Sequence, residues 1–312
     1  MLNIVPNVPD MGEKTEKKFT GLSRQARILR GVSLYVPAFV MTIIVLTAIF
    51  ADLSWIGLPQ YGLAPHDPND STPRDRLLPP AFMEEGQPEY LLGTDRLGRD
   101  VLSRVIHGAR ISLSVSLLVI AITASIGTVL GITAGLLGGR TEGFIMRVVD
   151  VALSFPALIL ALLIATIIGP GYLTVVLALS VLGWAGYTRL VRAESMRITH
   201  SDFVAQARVN GASSIRIMVR HIFPNVLNSL IIVMTISVGA MIIAESTLSF
   251  LGIGISAPIP SWGSMVADGR AELDRAWWIS AFPGIAIGLV VLSMNFLGDW
   301  IRDKFDPRLR QQ

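Results

Sequence analysis

The chain has 312 residues, 52% of them hydrophobic and only 16% charged, a balance outside the usual range of soluble globular proteins. It contains no cysteine, which excludes a disulfide framework, a thiolate metal site and a cysteine nucleophile. The net charge of +3 is mild, so the placement of the basic residues matters more than their excess. The composition indicates a membrane protein.

The first 31 residues are basic and contain no apolar run, so they do not have the pattern of a cleavable signal peptide. We expect residues 1–31 to form a cytoplasmic segment. The apolar stretch 32–51 then serves as a signal anchor and as the first transmembrane helix.

Six windows of about 20 mostly apolar residues are long enough, as helices, to cross the ~30 Å hydrocarbon layer. They are 32–51, 111–137, 144–168, 172–188, 225–244 and 278–297. The sequence therefore predicts an all-α polytopic membrane protein with six transmembrane helices. Lys and Arg are concentrated on the side that holds both termini, and the positive-inside rule predicts that this side is cytoplasmic. A short tail, 299–312, follows the last span.

The long segment between the first two spans, 52–110, is predicted to be an extracytoplasmic loop. Its seven prolines lack the backbone N–H that helices and β-ladders require, so most of this loop should be irregular. From about Arg99 onward, apolar residues recur at intervals that place them on one face of a helix. This pattern predicts a short amphipathic helix leading into the second span. Asp100 and Arg104 are expected to form an (i, i+4) ion pair on this helix.

Several residues inside the spans stand out. The glycines of the second span recur every fourth residue and favour close helix packing over a gating hinge; they are Gly127, Gly131, Gly135 and Gly139. Pro156 should kink the third span.

Two intramembrane acids are candidate functional residues, because buried acids in membranes often mark transport pathways. Asp150 follows Arg147 by three residues, so we favour mutual neutralisation of this pair over a role in substrate binding. Glu245 has no basic residue within one helical turn. The sequence leaves open whether it acts in transport or caps the turn into the outer loop.

Residues 201–224 predict a basic helical hairpin between the fourth and fifth spans. Ser201 and Ser213 are the expected N-caps of its two helices, and Gly211 suits a left-handed residue just beyond the first. Pro224 is expected to end the second helix. Apolar and basic residues occupy different faces of that helix: Ile215, Met218, Val219 and Ile222 on one, Arg216 and Arg220 on another.

Three interpretations compete for this hairpin on residue pattern alone. It could lie on lipid headgroups as a basic loop. It could bind DNA, because Ala207, Gly211 and Ile217 match the spacing of a helix-turn-helix. A DNA-binding element is, however, seldom tethered to the membrane at both ends. It could also be a docking element for a cytoplasmic partner.

The hairpin resembles the cytoplasmic loop that marks permease subunits of ATP-binding-cassette (ABC) importers. The pattern is AQA at 205–207, glycine at 211 and HIFP at 221–224, against a family consensus of Glu-Ala-Ala, three residues, Gly, nine residues, Ile, any residue, Leu, Pro. The departures from this consensus include Ala205, which replaces Glu, Gln206, which replaces the first Ala, and Phe223, which replaces Leu.

Four further stretches resemble the second permease of dipeptide, oligopeptide and nickel importers. They are LGTDRLGRDVLSRVIHGARISL, RVVDVALSFPALILALLIATIIGPG, ESTLSFLGIGISAPIPSWGSMVADGR and FPGIAIGLVVLSMNFLGDWIRDKFDPRLR. The five motifs occur in order, and the resemblance covers the chain from about residue 20 to its end. The resemblance implies a type I importer permease fold, with 111–298 as the permease core, in a bacterial or archaeal inner membrane.

The resemblance also implies a non-enzymatic subunit that works with a second permease, two cytoplasmic ATPases and an extracytoplasmic binding protein. The sequence contains no G-x-x-x-x-G-K-[ST] loop, so we expect this chain to bind no cofactor and ATP to be hydrolysed by partner subunits. No metal site is expected, because the four histidines are not at ligand spacing.

The residues expected to couple ATP hydrolysis to transport are Ala205, Gln206, Ala207, Gly211, Ile215, Arg216, Arg220 and Pro224. Because alanine cannot replace the charged hydrogen bond of a glutamate at 205, docking should depend more on shape, apolar contact and the arginines. The transported solute is expected to be a peptide or a similar small molecule. The alternative is a secondary transporter or channel without ATPase partners, for which inverted repeats would be expected.

Overall fold

The structure is a computed structural model that describes residues 34–52 and 62–305. The predicted cytoplasmic segment 1–31, part of the loop 52–110 and the end of the tail 299–312 lie outside the described residues. Helices dominate: α1 Leu34–Phe50, α2 Val101–Leu137, α3 Gly139–Ser154, α4 Ala157–Ile168, α5 Tyr172–Thr199, α6 Asp202–Val209, α7 Ser214–Ile217, α8 Phe223–Phe250, α9 Trp262–Gly269 and α10 Trp278–Phe305. Over these described ranges no β-strand forms, only one isolated bridge between Thr94 and Asp100.

The helices account for the predicted spans. Four are long and apolar enough to cross a membrane, and α3 with α4 makes a fifth if this bent pair is one span. The first predicted span is α1, an apolar helix whose described part, Leu34–Phe50, has 17 residues. The chain is therefore an all-α polytopic membrane protein.

Close packing of α2 on α5 forms the centre of the bundle, and three glycines make it possible. A Cβ added at Gly127, Gly131 or Gly135 would lie 2.4 to 2.7 Å from a Cβ of α5, closer than side chains tolerate. This confirms that these glycines serve helix packing. Gly139 does not belong to the set, because it starts α3 and a Cβ there would meet nothing within 4 Å.

The third predicted span is broken. Helices α3 and α4 meet at an angle of 81° across Phe155 and Pro156. Proline has no N–H to donate and its ring crowds the preceding turn, so the helix ends at Ser154 and restarts after Pro156. The predicted kink is confirmed.

The second span begins earlier than predicted. Helix α2 runs without interruption from Val101 to Leu137, so the amphipathic stretch and the span are one helix, and the predicted boundary at residue 111 lies inside it. The predicted Asp100–Arg104 pair is wrong, because the Asp100 carboxylate caps α2 by accepting from the Ser103 amide at 2.8 Å. Arg104 instead lies 3.6 Å from Asp95.

The described part of the long loop, from residue 62, packs onto one end of the bundle, which we call the loop end. Buried Arg99 and Asp95 form an ion pair at 2.6 Å, and Trp278 at the start of α10 donates its indole N–H to the Thr94 carbonyl at 3.0 Å. The opposite end of the bundle carries α6 and α7, and we call it the hairpin end.

Candidate coupling hairpin and acids of the spans

Helix α6 forms the first arm of the hairpin, with Ser201 at its N-cap position. The Ser201 hydroxyl donates to the Ile198 carbonyl at 2.6 Å and makes no capping bond, so only its position matches the prediction. Val204 is fully buried and anchors α6 against the bundle. Its neighbours Ala205 and Gln206 are exposed.

The turn between the two arms depends on Gly211. Its φ is +74°, in the left-handed region that side-chain-bearing residues rarely adopt. Its amide donates to the Arg208 carbonyl, and the next amide, of Ala212, donates to the Ala207 carbonyl, both at 3.0 Å. This closes the end of α6, as the sequence predicts.

The second arm starts with α7, where the Ser213 hydroxyl accepts from the Arg216 amide, so Ser213 is an N-cap as predicted. The arm continues through a π-helical turn at Met218–Ile222 directly into α8. Ser214–Phe250 is thus one helical unit of 37 residues.

Pro224 does not end the second arm, and that prediction is wrong. Pro224 lies in the first turn of α8, where a missing N–H costs little because the wider π-helical turn precedes it. The hairpin is consequently joined to a membrane-spanning helix without a flexible linker, so a displacement of α7 moves α8.

Three of the four apolar residues predicted to share one face of the second arm, Ile215, Met218 and Val219, line one apolar groove, whereas the fourth, Ile222, does not. Ile222 is buried in the core under the hairpin, together with Ile217, whereas Ile215 and Val219 are exposed. The π-helical turn explains the split, because it inserts one extra residue per turn and rotates the following side chains.

Seven of the eight predicted coupling residues lie on the exposed surface of the hairpin, and the eighth, Ala207, is half-buried. Arg216 and Arg220 are both exposed, four residues apart on the second arm. The Phe203 and His221 rings, 6.2 Å apart, connect the two arms. The hairpin therefore presents a small, preformed basic and apolar surface.

Asp150 does not pair with Arg147 as predicted. Its carboxylate lies 2.6 Å from the guanidinium of Arg189 on α5. Both side chains of this pair are more than half exposed. A second pair, Arg192 with Glu142, also joins α5 to α3. The two pairs hold α3 against α5 at the hairpin end.

Glu245 is fully buried, with its carboxylate inside a set of serine hydroxyls. Ser249 and Ser261 donate to one carboxylate oxygen at 2.8 and 3.0 Å, and Ser112 donates to the other at 3.4 Å. Since α8 continues to Phe250, Glu245 does not cap the turn into the outer loop. It connects α2, α8 and the residue that caps α9.

No sequence pattern identified Ser112 and Ser261 as partners of Glu245. The only available signal was the S-x-x-S spacing of Ser261 and Ser264, which forms a capping box at the start of α9. Over residues 34–52 and 62–305, no group of three or more His, Asp or Glu side chains is arranged to hold a metal ion.

Replacing Glu245 by glutamine should leave stability and transport nearly unchanged, because the amide oxygen still accepts from the serines. Glu245→Leu leaves buried hydroxyls without an acceptor, which costs about 1–3 kcal/mol for each orphaned group. We expect a lower melting temperature for the leucine variant alone, measured on purified chain in detergent. Loss of transport by a stable glutamine variant would show instead that the carboxylate itself acts in transport.

The fold and the exposed hairpin define a class, the membrane-spanning subunit of a transporter. Residues 127–311 match the family described as "Binding-protein-dependent transport system inner membrane component". The chain belongs to this family of ABC importer permeases, and it is a multi-pass inner-membrane protein. The match supports the permease interpretation and not that of a secondary transporter or channel.

Several relatives are similar over most of the chain. The di/tripeptide transport system permease protein DppC of Pseudomonas aeruginosa is 41% identical over 270 residues, 86% of both chains. The dipeptide transport system permease protein DppC of Escherichia coli is 42% identical over 272 residues, 87% of both.

A solved structure of the MetNI methionine ABC transporter, in inward-facing conformations, has the same fold. It matches 65% of this chain and 97% of its own, with a TM-score of 0.55 and 16% sequence identity. At this identity the likeness establishes the fold alone, which is that of an ABC importer permease.

Proposed function

We propose that this chain is one of two permease subunits of an ATP-driven peptide importer, and that hairpin 201–224 is the surface on which a cytoplasmic ATPase docks. The observation that carries the proposal is the direct helical connection of the exposed second arm to α8. A partner that moves the hairpin therefore moves a membrane-spanning helix as well, as alternating access requires.

The chemistry of the hairpin surface fits an acidic, grooved partner. Arg216 and Arg220 are exposed and supply positive charge, and Ile215 supplies apolar area. Ala205 presents only a methyl group, so the polar contact that a glutamate would make is missing there. Gly211 fixes the relative position of the arms, and Ala205, Gln206, Ala207 and Pro224 complete the surface.

The proposed orientation puts the hairpin end, with both termini, in the cytoplasm and the loop end outside the cell. It follows from the excess of Lys and Arg on the hairpin side. The segments 1–31, 32–51, 52–110, 111–298 and 299–312 would then be the cytoplasmic start, first span, outer loop, permease core and cytoplasmic tail. An extracytoplasmic binding protein would deliver the solute at the loop end, and ATP would be hydrolysed by two separate subunits.

The proposed solutes are dipeptides and other short peptides, supported by relatives above 40% identity whose names specify peptide transport. We expect cells with the intact operon to take up a labelled dipeptide, and cells with this gene deleted to take up almost none. Equal uptake of the peptide in both strains would contradict the substrate assignment while leaving the ATPase-docking assignment intact.

Reversing the charge of the hairpin should release the ATPases. In the double variant Arg216→Glu, Arg220→Glu, two glutamates would face the acidic groups of the partner and repel them. Removing one member of a buried charge pair at an interface already costs about 2–5 kcal/mol of binding free energy. We expect loss of ATPase subunits in co-purification, with a normal amount of chain in the membrane. The matched control is Arg197→Glu, an exposed arginine of α5 close to the hairpin.

A further inference from the structure

A pocket of about 480 Å³ lies at the loop end, between the start of α2, the segment that connects α8 to α9, and α9 itself. Its volume is in the range of about 300–1,000 Å³ that is typical of small-molecule sites. Arg96 and Arg270 are exposed at its rim, whereas Arg104 and Ser249 are buried members of its lining. We call it the loop-end pocket.

The loop-end pocket carries excess positive charge. Of the charged side chains that the structure describes, three arginines and one aspartate line it: Arg96, Arg104, Arg270 and Asp268. The Asp268 carboxylate is shared, since its two oxygens lie 3.6 Å from Arg96 and 3.6 Å from Arg99. Asp95 is shared as well, at 2.6 Å from Arg99 and 3.6 Å from Arg104. Among these side chains, four guanidinium groups are balanced by only two carboxylates, so the pocket attracts a further anion.

Two of the arginines have N–H groups available for such an anion. Arg270 stacks on the Phe250 ring, 4.9 Å from its centroid, and forms no ion pair with any residue that the structure describes. Arg104, whose side chain is 3% exposed, donates to the Pro68 carbonyl at 3.0 Å. A guanidinium has five N–H donors in one plane, and buried donors without an acceptor cost free energy. An anion in the pocket would accept hydrogen bonds from both arginines.

The rest of the lining is mostly small, which leaves room for ligands of different shape. Besides the arginines, the walls include Gly252, Gly254, Ser256, Ala257, Ala267 and Ala271. A Cβ at Gly254 would lie 2.0 Å from the Ser249 hydroxyl oxygen, so a side chain does not fit there. That hydroxyl donates to Glu245, and the pocket floor therefore adjoins the serine hydroxyls around this carboxylate. The pocket combines a fixed preference for negative charge with few steric demands.

We infer that the loop-end pocket binds the terminal carboxylate of an incoming peptide, which accepts hydrogen bonds from Arg96, Arg104 and Arg270. Arginine suits this ligand because its planar guanidinium can bind a carboxylate through two parallel N–H···O bonds. This assignment rests on the proposed function and deepens it, because the terminal carboxylate is the acidic group that all unmodified short peptides share. Recognition of that group between small walls admits peptides with different side chains.

The affinity of the assembled transporter for a peptide tests the site. The full-length chain, with its partner permease and both ATPases, is placed in lipid nanodiscs without the binding protein, and radiolabelled dialanine is titrated in a scintillation proximity assay. Arg270→Gln removes the charge of an arginine at the rim. We expect its Kd for dialanine to rise about tenfold, because a charge-assisted hydrogen bond is lost. The matched control is Arg275→Gln, which changes an exposed arginine that does not line the pocket.

A matched peptide separates carboxylate recognition from other contacts. Dialanine amide has the same side chains but no negative charge, and we expect it to compete about tenfold less well than dialanine. Equal affinities of the Arg270→Gln and Arg275→Gln complexes, or equal competition by the two peptides, would overturn the inference. Unchanged dialanine affinity together with lost co-sedimentation of the binding protein in Arg270→Gln would overturn it too, because the pocket would then be a docking site for that protein.

A second pair of variants guards against misfolding of Arg270→Gln. Ala267→Asp adds a negative charge to the pocket wall without removing an arginine, and Ala267→Asn adds a side chain of the same size without charge. Dialanine should bind the asparagine variant about tenfold more tightly than the aspartate variant, and equal affinities would contradict carboxylate binding. If the unaltered complex showed no saturable binding although cells took up dialanine, the pocket assignment would be wrong and the proposed function would stand.

Discussion

Gly131→Val is expected to prevent α2 from packing on α5 and to remove most folded protein from the membrane. A Cβ at residue 131 would lie 2.7 Å from the Val191 Cβ and 2.8 Å from the Thr188 carbonyl oxygen. The oxygen belongs to the backbone of a long helix and cannot move aside alone, so the helices must separate. Overpacking of this kind costs about 1–3 kcal/mol and occasionally more, and we expect the upper end here.

The measurement is the fraction of monodisperse chain in fluorescence-detected size-exclusion chromatography after heating. The matched control is Gly288→Val in α10, where a Cβ would meet nothing within 4 Å. If Gly131→Val and Gly288→Val melted at the same temperature, the close approach of α2 and α5 would not limit stability.

Gly211→Val is expected to leave the chain folded and inserted but to abolish ATPase binding and uptake. A Cβ at residue 211 meets no atom within 4 Å, so nothing clashes. The strain lies in the backbone, because a β-branched residue at φ +74° is held in a sparsely populated region at a cost of about 1–3 kcal/mol. The turn relaxes, and the two arms lose the relative position that the docking surface requires.

Gly211→Asn is the control, because asparagine tolerates the left-handed conformation better than other side-chain-bearing residues. Co-purification of the ATPases and uptake of labelled dipeptide should be retained in the asparagine variant and lost in the valine variant. Normal uptake by the valine variant, with its ATPases bound, would refute the assignment of the hairpin to coupling.

The two glycines differ in the physical reason for their presence, and sequence alone indicated both. The four-residue recurrence that includes Gly131 predicted helix packing, and the position of Gly211 after an amphipathic helix predicted a left-handed turn. Gly139 shows the limit of spacing as evidence. It continues the recurrence but lies beyond the break at Gly138, so it never faces α5.

Errors arose where a spacing rule met a competing partner, one distant in sequence for Asp150 and a nearby backbone amide for Asp100. Arg147 was the nearest base to Asp150 along the chain, yet Arg189 of α5 pairs with it because packing brings α3 against α5. The (i, i+4) spacing predicted an ion pair between Asp100 and Arg104. Asp100 instead occupies the N-cap of α2, where its carboxylate accepts a hydrogen bond from the Ser103 amide.

The sequence by itself determined the membrane class, the approximate locations of the apolar helices, the hairpin and its glycine turn, because hydropathy, helical periodicity and turn chemistry are local properties. Only the tertiary structure decided which groups meet: the serines around Glu245 and the partner of Asp150. It also showed that Pro224 begins a helix instead of ending one, since the π-helical turn before it accommodates the missing N–H. Such contacts depend on how whole helices pack, which no short window of sequence specifies.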